Sequence, residues 1–350
     1  MKNPRLCRGM FFFMYRQTLS CITMNEGGLD VKRTILMAVV LLVGMMLVIP
    51  LVIVDTEREP MREDTGKIRV YLHEKDSIEE MTMDDYLIGA LAAEMPAAFE
   101  EESLKAQAVA ARTYAAAHMV RYGGRGYKGA DVSTDYRVHQ AYIGEAKQRE
   151  KWGDKYDTYR EKLRRAVRAT AGEVATYDGK LIRALYHSSC GGRTASSQEV
   201  WDKALPYLVS VRCDWDSDAP RYREEKRVPF TDIAANLGEE ATIMAASADG
   251  SDIVHVVNRT ESGRADLVRI GGQNYAGYDV RGKLALRSAN FTARVDGDSI
   301  IFTTVGYGHG VGLCQYGANG MAKAGYSYRD ILMHYYQGIA VQPIEKVKRI

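Results

Sequence analysis

The sequence predicts an α+β protein, in which a single N-terminal transmembrane helix precedes a mixed α/β extracytoplasmic domain with an inserted accessory subdomain. Two patterns predict this arrangement: an uncharged apolar segment near the N-terminus, and helical and alternating apolar patterns interleaved along the rest of the chain. The net charge of +2 and the charged fraction of 26% give no reason to expect nucleic-acid binding or disorder.

The predicted membrane anchor is residues 34–54, a run of apolar residues without a charge. About 20 such residues span a bilayer core. Lys32 and Arg33 precede the run, so the positive-inside rule places residues 1–33 in the cytoplasm and the rest outside. A cleaved signal peptide is the alternative, but the run is long for one and no small-residue cleavage site follows it. Residues 55–67 then form a charged linker, and Met24 is an alternative start.

The outer domain, residues 68–343, begins with an alternating strand at 68–73. A helix then opens near Thr82, and Pro96 predicts that it ends at Met95. Asp178-Gly179 predicts a tight hairpin turn. Further predictions are helices at 101–122, 157–171 and 327–336, an irregular excursion at 123–157, hairpin strands at 173–177 and 180–186, strands at 253–258, 266–270, 290–295 and 299–305, and an accessory subdomain at about 215–290.

A glycine-dense segment, residues 306–317, is the most informative part of the sequence. Glycine costs conformational entropy on folding, so this density indicates positive φ angles or a close approach of the backbone to another group. A polar loop of this kind is typical of a binding or catalytic surface. A phosphate loop is the alternative, but the segment lacks the Lys-Ser/Thr ending of such loops.

Glu94 is the candidate acid–base residue. It lies seven residues after Leu87 and three after Leu91, so helical periodicity places it on or beside the buried face of its helix. Burial against apolar side chains raises a carboxyl pKa, which suits a group that must donate a proton near neutral pH. The alternative is a structural salt bridge, for which Arg112 is an available partner.

The three cysteines predicted to lie outside the cytoplasm, Cys190, Cys213 and Cys314, form no CxxC motif. Cys190 and Cys314 each lie in a glycine loop that also holds a histidine, His187 or His309. Four interpretations remain open: buried thiols, a disulfide, a two-Cys, two-His metal site, or a Cys-His nucleophile. We expect Cys190 and Cys314 to lie close together in the fold, since a disulfide requires Cα atoms within about 7 Å.

Five blocks of sequence together resemble the stage II sporulation protein D family, the membrane-anchored lytic transglycosylases of spore formers. The blocks follow the family order and spread over most of residues 68–343. They are Ala92–Pro96, Leu104–Tyr114, Tyr186–Thr194, Gly306–Ala318 and Gly325–Tyr336.

The resemblance implies an enzyme that cleaves peptidoglycan glycan strands between N-acetylmuramic acid and N-acetylglucosamine and leaves 1,6-anhydro ends. It implies action on strands denuded of stem peptides during engulfment, with the stage II sporulation proteins P (an amidase) and M (a membrane scaffold) as partners. The family's catalytic acid maps onto Glu94. The predicted cleft wall is Arg112, Tyr114, Ser188, Ser189, His309, Gln315 and Tyr316.

One departure concerns a zinc site that some family members carry after the second helix. Ser133 and His139 stand where cysteines would be expected, so we expect no metal in that segment, and we predict no cofactor. No second carboxylate stands out in the family-like blocks, which favours intramolecular attack over hydrolysis. Two other functions remain open: a non-catalytic glycan-binding scaffold that activates a partner amidase, and a Cys-dependent peptidase.

Overall fold

The computed structural model describes Met37, residues 39–41, 66–238 and 253–348. Most of the predicted anchor, all of residues 1–33 and residues 55–65 of the linker lie outside the described residues. Met37 and residues 39–41 are helical and their side chains are exposed. Among the described residues, no helix combines the length and the apolar composition needed to cross a bilayer.

Helices and small sheets alternate along the described chain, which confirms the mixed α+β prediction. The helices are α1 (Met83–Glu94), α2 (Glu101–His118), α3 (Glu145–Trp152), α4 (Tyr156–Ala169), α5 (Ser197–Trp201), α6 (Phe230–Leu237), α7 (Gly277–Lys283), α8 (Gln315–Lys323) and α9 (Tyr328–Tyr335). The strands are β1 (Lys67–Leu72), β2 (Ser77–Thr82), β3 (Val132–Ser133), β4 (Glu173–Tyr177), β5 (Lys180–Leu181), β6 (Tyr186–His187), β7 (Arg223–Pro229), β8 (Val254–Arg259), β9 (Ala265–Ile270), β10 (Gln273–Ala276), β11 (Phe291–Asp296), β12 (Ser299–Val305), β13 (Leu313–Cys314) and β14 (Ala340–Pro343).

The start and end of α1 follow from local sequence, and they fix the position of Glu94. The Thr82 hydroxyl accepts a hydrogen bond from the Asp85 backbone N–H at 3.1 Å, which satisfies one of the unpaired donors of the first turn. Met95 is extended, with ψ of 148°, because the following Pro96 disfavours the helical conformation. Glu94 is therefore the last residue of α1, and its backbone is fixed by the helix before it and by the extended Met95 after it.

Helix α2 lies between two apolar cores. Leu104, Ala108 and Ala111 pack with β1, α1 and α4, whereas Ala106 and Val109 pack with β4, α8 and α9. The small alanine side chains permit close approach of elements on several sides. The helix is accordingly buried almost all round. It ends at His118, four residues before the predicted end, and a short 3₁₀ turn covers residues 120–122.

The hairpin prediction is confirmed at its turn and wrong in its second strand. Asp178 and Gly179 both have positive φ angles, 51° and 78°, as a type I′ turn requires. Strand β5 then stops at Leu181 rather than continuing to Tyr186. The following β6 leaves this sheet and pairs in parallel with β13, Tyr186 opposite Leu313. That pairing joins the two glycine loops of the sequence.

A third apolar core lies in the region of the predicted accessory subdomain. The sheet β11-β12-β7 and the sheet β10-β9-β8 pack there with α6 and α7. Val228, Val268 and Phe302 are among its buried residues. The core therefore extends past residue 290, because β12 pairs along its full length with β7. The division into domains remains a prediction.

The excursion at 123–157 contains helix α3, although the sequence predicted no helix there.

Candidate functional site

A cleft of about 680 Å³ lies where α1, α2, the excursion, the two glycine loops and α7 meet. Glu94 enters it from the end of α1 and Tyr114 from α2. The residues that line it are Ala93, Glu94, Tyr114, Tyr136, His139, Gln140, Ala141, Ala184, Leu185, Tyr186, His187, Ser188, Arg281, Tyr307, Gly308, His309 and Gln315. Its volume is within the range of ordinary small-ligand sites.

Glu94 is held in the cleft by a backbone donor. The Ala141 N–H donates to its Oε1 at 2.7 Å. Burial raises the pKa of the Glu94 carboxyl, and the Ala141 N–H and the nearby Gln315 amide oppose that rise. The direction of the shift is the opposite of what a close guanidinium would cause. Glu94 thus has the environment of a carboxylic acid that stays protonated above its usual range.

Gln315 lies beside Glu94 at the start of α8. It is 5% exposed, and its Nε2 makes no hydrogen bond that meets normal geometry with the described residues. The Gln315 amide is close enough to Glu94 to affect its pKa but makes no well-aligned hydrogen bond, so a ligand acceptor at this point would be stabilising. Two neighbouring groups in one cleft therefore offer a proton and an N–H donor.

A network of phenols and one amide forms the floor beside Glu94. The Tyr186 hydroxyl donates to Gln140 Oε1 at 2.8 Å, and Gln140 Nε2 donates to the Tyr86 oxygen at 2.8 Å. Burial raises the pKa of Tyr114 to about 12, and it raises that of Tyr186 further. These phenols stay neutral at cellular pH and act as hydrogen-bonding groups.

The two histidines of the glycine loops are neutral and fixed. His187 Nδ1 donates to the Val311 carbonyl at 3.1 Å, and His309 Nδ1 accepts from the Val311 N–H at 3.0 Å. Burial lowers the pKa of His309 to about 4 and that of His187 further below its usual value. Gly308, with φ of +115°, leaves no room for a side chain, because a Cβ would lie 2.8 Å from His187 Cβ.

Five of the predicted site residues line the cleft together and three do not. Those that line it are Glu94, Tyr114, Ser188, His309 and Gln315. Tyr316 packs edge-to-face on Phe99 with ring centroids 4.9 Å apart. Ser189 is buried and donates to Asp216 Oδ2 at 2.8 Å.

Arg112 is also placed away from the cleft. It is fully buried, and its Nη2 donates to the Val167 carbonyl at 3.1 Å at the end of α4. Its Nη1 lies 3.3 Å from both Thr170 Oγ1 and the Glu173 carbonyl. A cation bound to the carbonyls at a helix C-terminus stabilises that end. Arg112 therefore holds α2 against α4 and β4, and the predicted place in the cleft wall is wrong.

Several lining residues were not identified from the sequence: Tyr136, Gln140, Tyr186 and Arg281. Arg281 comes from α7, within the predicted accessory region, and burial lowers the pKa of its guanidinium. Only tertiary structure brings α7 to the cleft, so no local pattern marks this arginine. His139, another lining residue of the excursion, accepts the Ser133 N–H on Nδ1 at 3.2 Å.

The prediction that Cys190 and Cys314 lie close together is confirmed, since the Cys190 N–H donates to Cys314 Sγ at 3.3 Å. Cys213 joins them, and all three are buried free thiols. Burial raises the pKa of Cys190 and of Cys314, and none of the three lines the cleft. A Cys-His nucleophile in this cleft is therefore wrong. The ligand atoms of the three cysteines and Asp216 lie within 4.8 Å of one another, a set that could hold a metal ion.

Comparison with known proteins places these features in one family. The family model described as Stage II sporulation protein (SpoIID) matches residues 71–177. Stage II sporulation protein D of Bacillus subtilis is 35% identical over 331 residues, covering 89% of this chain and 94% of the relative. The protein of that name from Bacillus amyloliquefaciens is 36% identical over 282 residues, covering 80% of each chain.

A more distant relative has a different name. The Amidase enhancer of Bacillus subtilis is 28% identical over 300 residues, which covers 72% of this chain and 39% of that protein. The family match spans α1, α2 and the excursion, and the alignment with the Bacillus subtilis protein D extends over nearly the whole chain. The chain therefore belongs to the stage II sporulation protein D family.

Proposed function

We propose that this protein is a peptidoglycan lytic transglycosylase that acts during sporulation. The observation that carries the proposal is Glu94, because it is the only carboxyl group among the described residues lining the cleft and its pKa is raised by burial. A lytic transglycosylase needs one group that first donates and then accepts a proton. Glycoside hydrolases, in contrast, generally use two carboxylates.

The proposed reaction begins when the protonated Glu94 donates its proton to the oxygen of the bond between N-acetylmuramic acid and N-acetylglucosamine. That bond breaks and its electron pair stays on the leaving oxygen. The 6-hydroxyl of the muramic sugar attacks its own anomeric carbon and gives its proton to the Glu94 carboxylate. The product is a 1,6-anhydro end, no water is consumed, and Glu94 is again protonated.

The other lining groups suit a sugar strand. Gln315 Nε2 is a buried donor without a well-aligned acceptor among the described residues, and an acetamido carbonyl or a ring hydroxyl would supply one. Tyr114, Ser188 and the neutral His309 add donors and acceptors around the same space. Arg281 supplies a cation to the cleft, and the lactyl carboxylate of a muramic sugar without a stem peptide is a matching anion. This pairing favours denuded glycan as the substrate.

The test is product analysis with two matched variants. The full chain is incubated with denuded glycan, and anhydro-muramic ends are measured by mass spectrometry. Glu94→Gln keeps the shape of the side chain but cannot donate a carboxyl proton, so we expect a loss of about 10²- to 10⁴-fold. Glu100→Gln, the same change at an exposed residue, is the control and should leave the rate unchanged. Undiminished cleavage by Glu94→Gln would remove the assignment.

The second candidate function is a scaffold that binds glycan and activates a partner amidase, and similarity to the Amidase enhancer favours it. The proposed partners are the stage II sporulation proteins P and M. Under this alternative, Glu94→Gln would stimulate amidase release of stem peptides as well as the unaltered chain does, and neither protein would produce anhydro ends. The two functions thus differ in the product measured.

We further propose that residues 34–54 anchor the protein in the cell membrane, with the N-terminus in the cytoplasm and the domain from residue 68 outside. The uncharged apolar run and the preceding Lys32 and Arg33 support this topology. Protease added to spheroplasts should digest the outer domain. A mature chain that starts after residue 54, or an outer domain that resists the protease until lysis, would contradict it.

A further inference from the structure

Three cysteines and one aspartate converge behind the wall of the cleft. Cys190 follows β6, Cys213 and Asp216 lie in the segment that leads to β7, and Cys314 ends β13 and caps α8. All four side chains are at most 1% exposed. Their ligand atoms lie within 4.8 Å of one another. Three distant parts of the chain thus deliver sulfur and oxygen ligands to one small buried volume.

Asp216 is the first sign that the cluster is more than packed thiols. Its Oδ2 accepts from the Gly191 N–H and from the Ser189 hydroxyl, both at 2.8 Å. The Cys190 thiol lies 3.3 Å from the same oxygen. In the part of the chain that the structure describes, Asp216 has no ion pair. A buried carboxylate without a cation is costly, and a metal ion at the thiols would neutralise it.

Backbone donors surround the sulfur atoms as they surround metal-bound thiolates. The Cys190 N–H and the Gly317 N–H donate to Cys314 Sγ at 3.3 and 3.4 Å. The Tyr335 hydroxyl lies 3.1 Å from Cys213 Sγ. The N-terminus of the nine-residue α8 also faces Cys314, and its dipole favours negative charge there. Such donors are the usual outer partners of metal ligands, which they orient and stabilise.

We propose that Cys190, Cys213, Cys314 and Asp216 bind one Zn²⁺ ion. Zinc takes thiolate and carboxylate ligands in tetrahedral sites, with Zn–S of about 2.3 Å and Zn–O of about 2.0–2.2 Å. Such bonds place the ligand atoms roughly 3.5–3.8 Å apart, so only a small contraction of the cluster is needed. Soft thiolates disfavour magnesium and calcium. Four protein ligands in a buried site are typical of a structural zinc ion, not a catalytic one.

The ion would fix the wall of the cleft from behind. Ser188 lies two residues before Cys190, and Gln315 directly follows Cys314. Both line the cleft that also holds Glu94. A zinc ion bound to both loops and to the 213–216 segment would hold them in register without entering the cleft. The site differs in position from residues 132–140, where the sequence predicted no metal, and it uses no histidine.

The first experiment measures metal in the full-length chain, purified through a tag without histidines and incubated with ZnCl₂ before exhaustive buffer exchange. Elemental analysis should give close to one zinc per chain. Cys213→Ser and Asp216→Asn should each retain at least about tenfold less after equal washing, whereas Cys7→Ser, a cysteine outside the cluster, should retain the full amount. Ser189→Ala removes only a partner of Asp216 and should weaken zinc affinity by about 10- to 100-fold.

A second experiment uses the unaltered chain, so that misfolding of a ligand variant does not decide the result. The unaltered chain is loaded with Co²⁺ in place of zinc, and a thiolate-to-cobalt charge-transfer band in the near ultraviolet is expected. Alkylation in denaturant with a chelator but no reductant should then modify all three thiols. Three results overturn the proposal: zinc well below one per chain after loading, no charge-transfer band, or an intact mass showing that two of the three cysteines form a disulfide.

Discussion

Gly317 gives a sharp test of how tightly the buried cluster is packed. It lies in the first turn of α8, and a Cβ built on it would lie 2.2 Å from Tyr335 Oη and 2.5 Å from Cys213 Sγ. Tyr335 is 1% exposed and cannot swing into solvent. Gly317→Ala therefore forces a shift of buried groups, and we expect it to destabilise the fold.

The magnitude follows from two opposing effects. Overpacking of a dense core costs about 1–3 kcal/mol. Alanine gains roughly 0.5–1 kcal/mol over glycine in a helix interior. Gly282, in α7, is the matched control, because a Cβ there meets no atom within 4 Å. Gly282→Ala should raise the free energy of unfolding by up to about 0.5–1 kcal/mol, the advantage of alanine over glycine in a helix. The two variants should thus differ in unfolding free energy by about 1–3 kcal/mol, the packing cost alone.

The assay is urea unfolding of the full chain, followed by circular dichroism and by tryptophan fluorescence. Coincident transitions would support a two-state analysis, and equal slopes would permit the midpoints to be compared directly. Each measurement is run with and without added ZnCl₂, so that a change in metal content is separated from a change in packing. If Gly317→Ala is as stable as Gly282→Ala under both conditions, the steric reasoning is refuted.

Three further predictions concern ionisable groups. Because burial raises the Glu94 pKa, the unaltered chain loses stability as the pH rises and the carboxyl must ionise in the folded state. Glu94→Gln should therefore gain stability relative to the unaltered chain between pH 4.5 and pH 8. An equal difference in urea midpoint between the two proteins at pH 4.5 and at pH 8 would contradict this. Burial lowers the pKa of His309 from 6.5 to about 4, so the unfolded state binds a proton before the folded state does. The free energy of unfolding should therefore fall by about 1.4 kcal/mol per pH unit as the pH is lowered across that window. His309→Gln should lessen this acid sensitivity in a pH series of melting curves. Arg112→Lys should cost roughly 1.5–3 kcal/mol of unfolding free energy, because charge-assisted hydrogen bonds to buried carbonyls are lost. Cleavage per folded molecule should be unchanged. An unchanged urea midpoint together with slow cleavage would return Arg112 to the cleft.

The elements predicted well are those that local chemistry determines. The cap at Thr82, the stop before Pro96 and the turn at Asp178-Gly179 each depend on a few adjacent residues. Helix α9 likewise begins at a capping box of Ser327 and Asp330. The position of Glu94 at the end of its helix could be predicted for the same reason, whereas its assignment as the acid depended on the family resemblance.

The errors came from contacts between distant segments. Arg112 lies on an alanine-rich helix that is buried nearly all round. The sequence of such a helix does not show which of its sides faces the solvent-filled cleft. Ser189 and Cys190 turn toward Asp216, which is more than 25 residues away and carries no motif. Arg281 reaches the cleft through the packing of α7. These side chains depend on tertiary pairing, which periodicity does not encode.

The parallel pairing of β6 with β13 has a consequence for when the cleft is assembled during folding. Strand β6 ends at His187, and its partner begins only at Leu313, so the chain between them must be present before the two loops meet. The core around β1, α1, α2 and α4 uses residues 68–167, together with Tyr316 at its edge. We expect that core to form early as the chain emerges, since its contacts are nearer in sequence. Glu94 would then be in place well before Gln315 arrives beside it, so an incompletely folded chain would carry the carboxyl group but no assembled cleft.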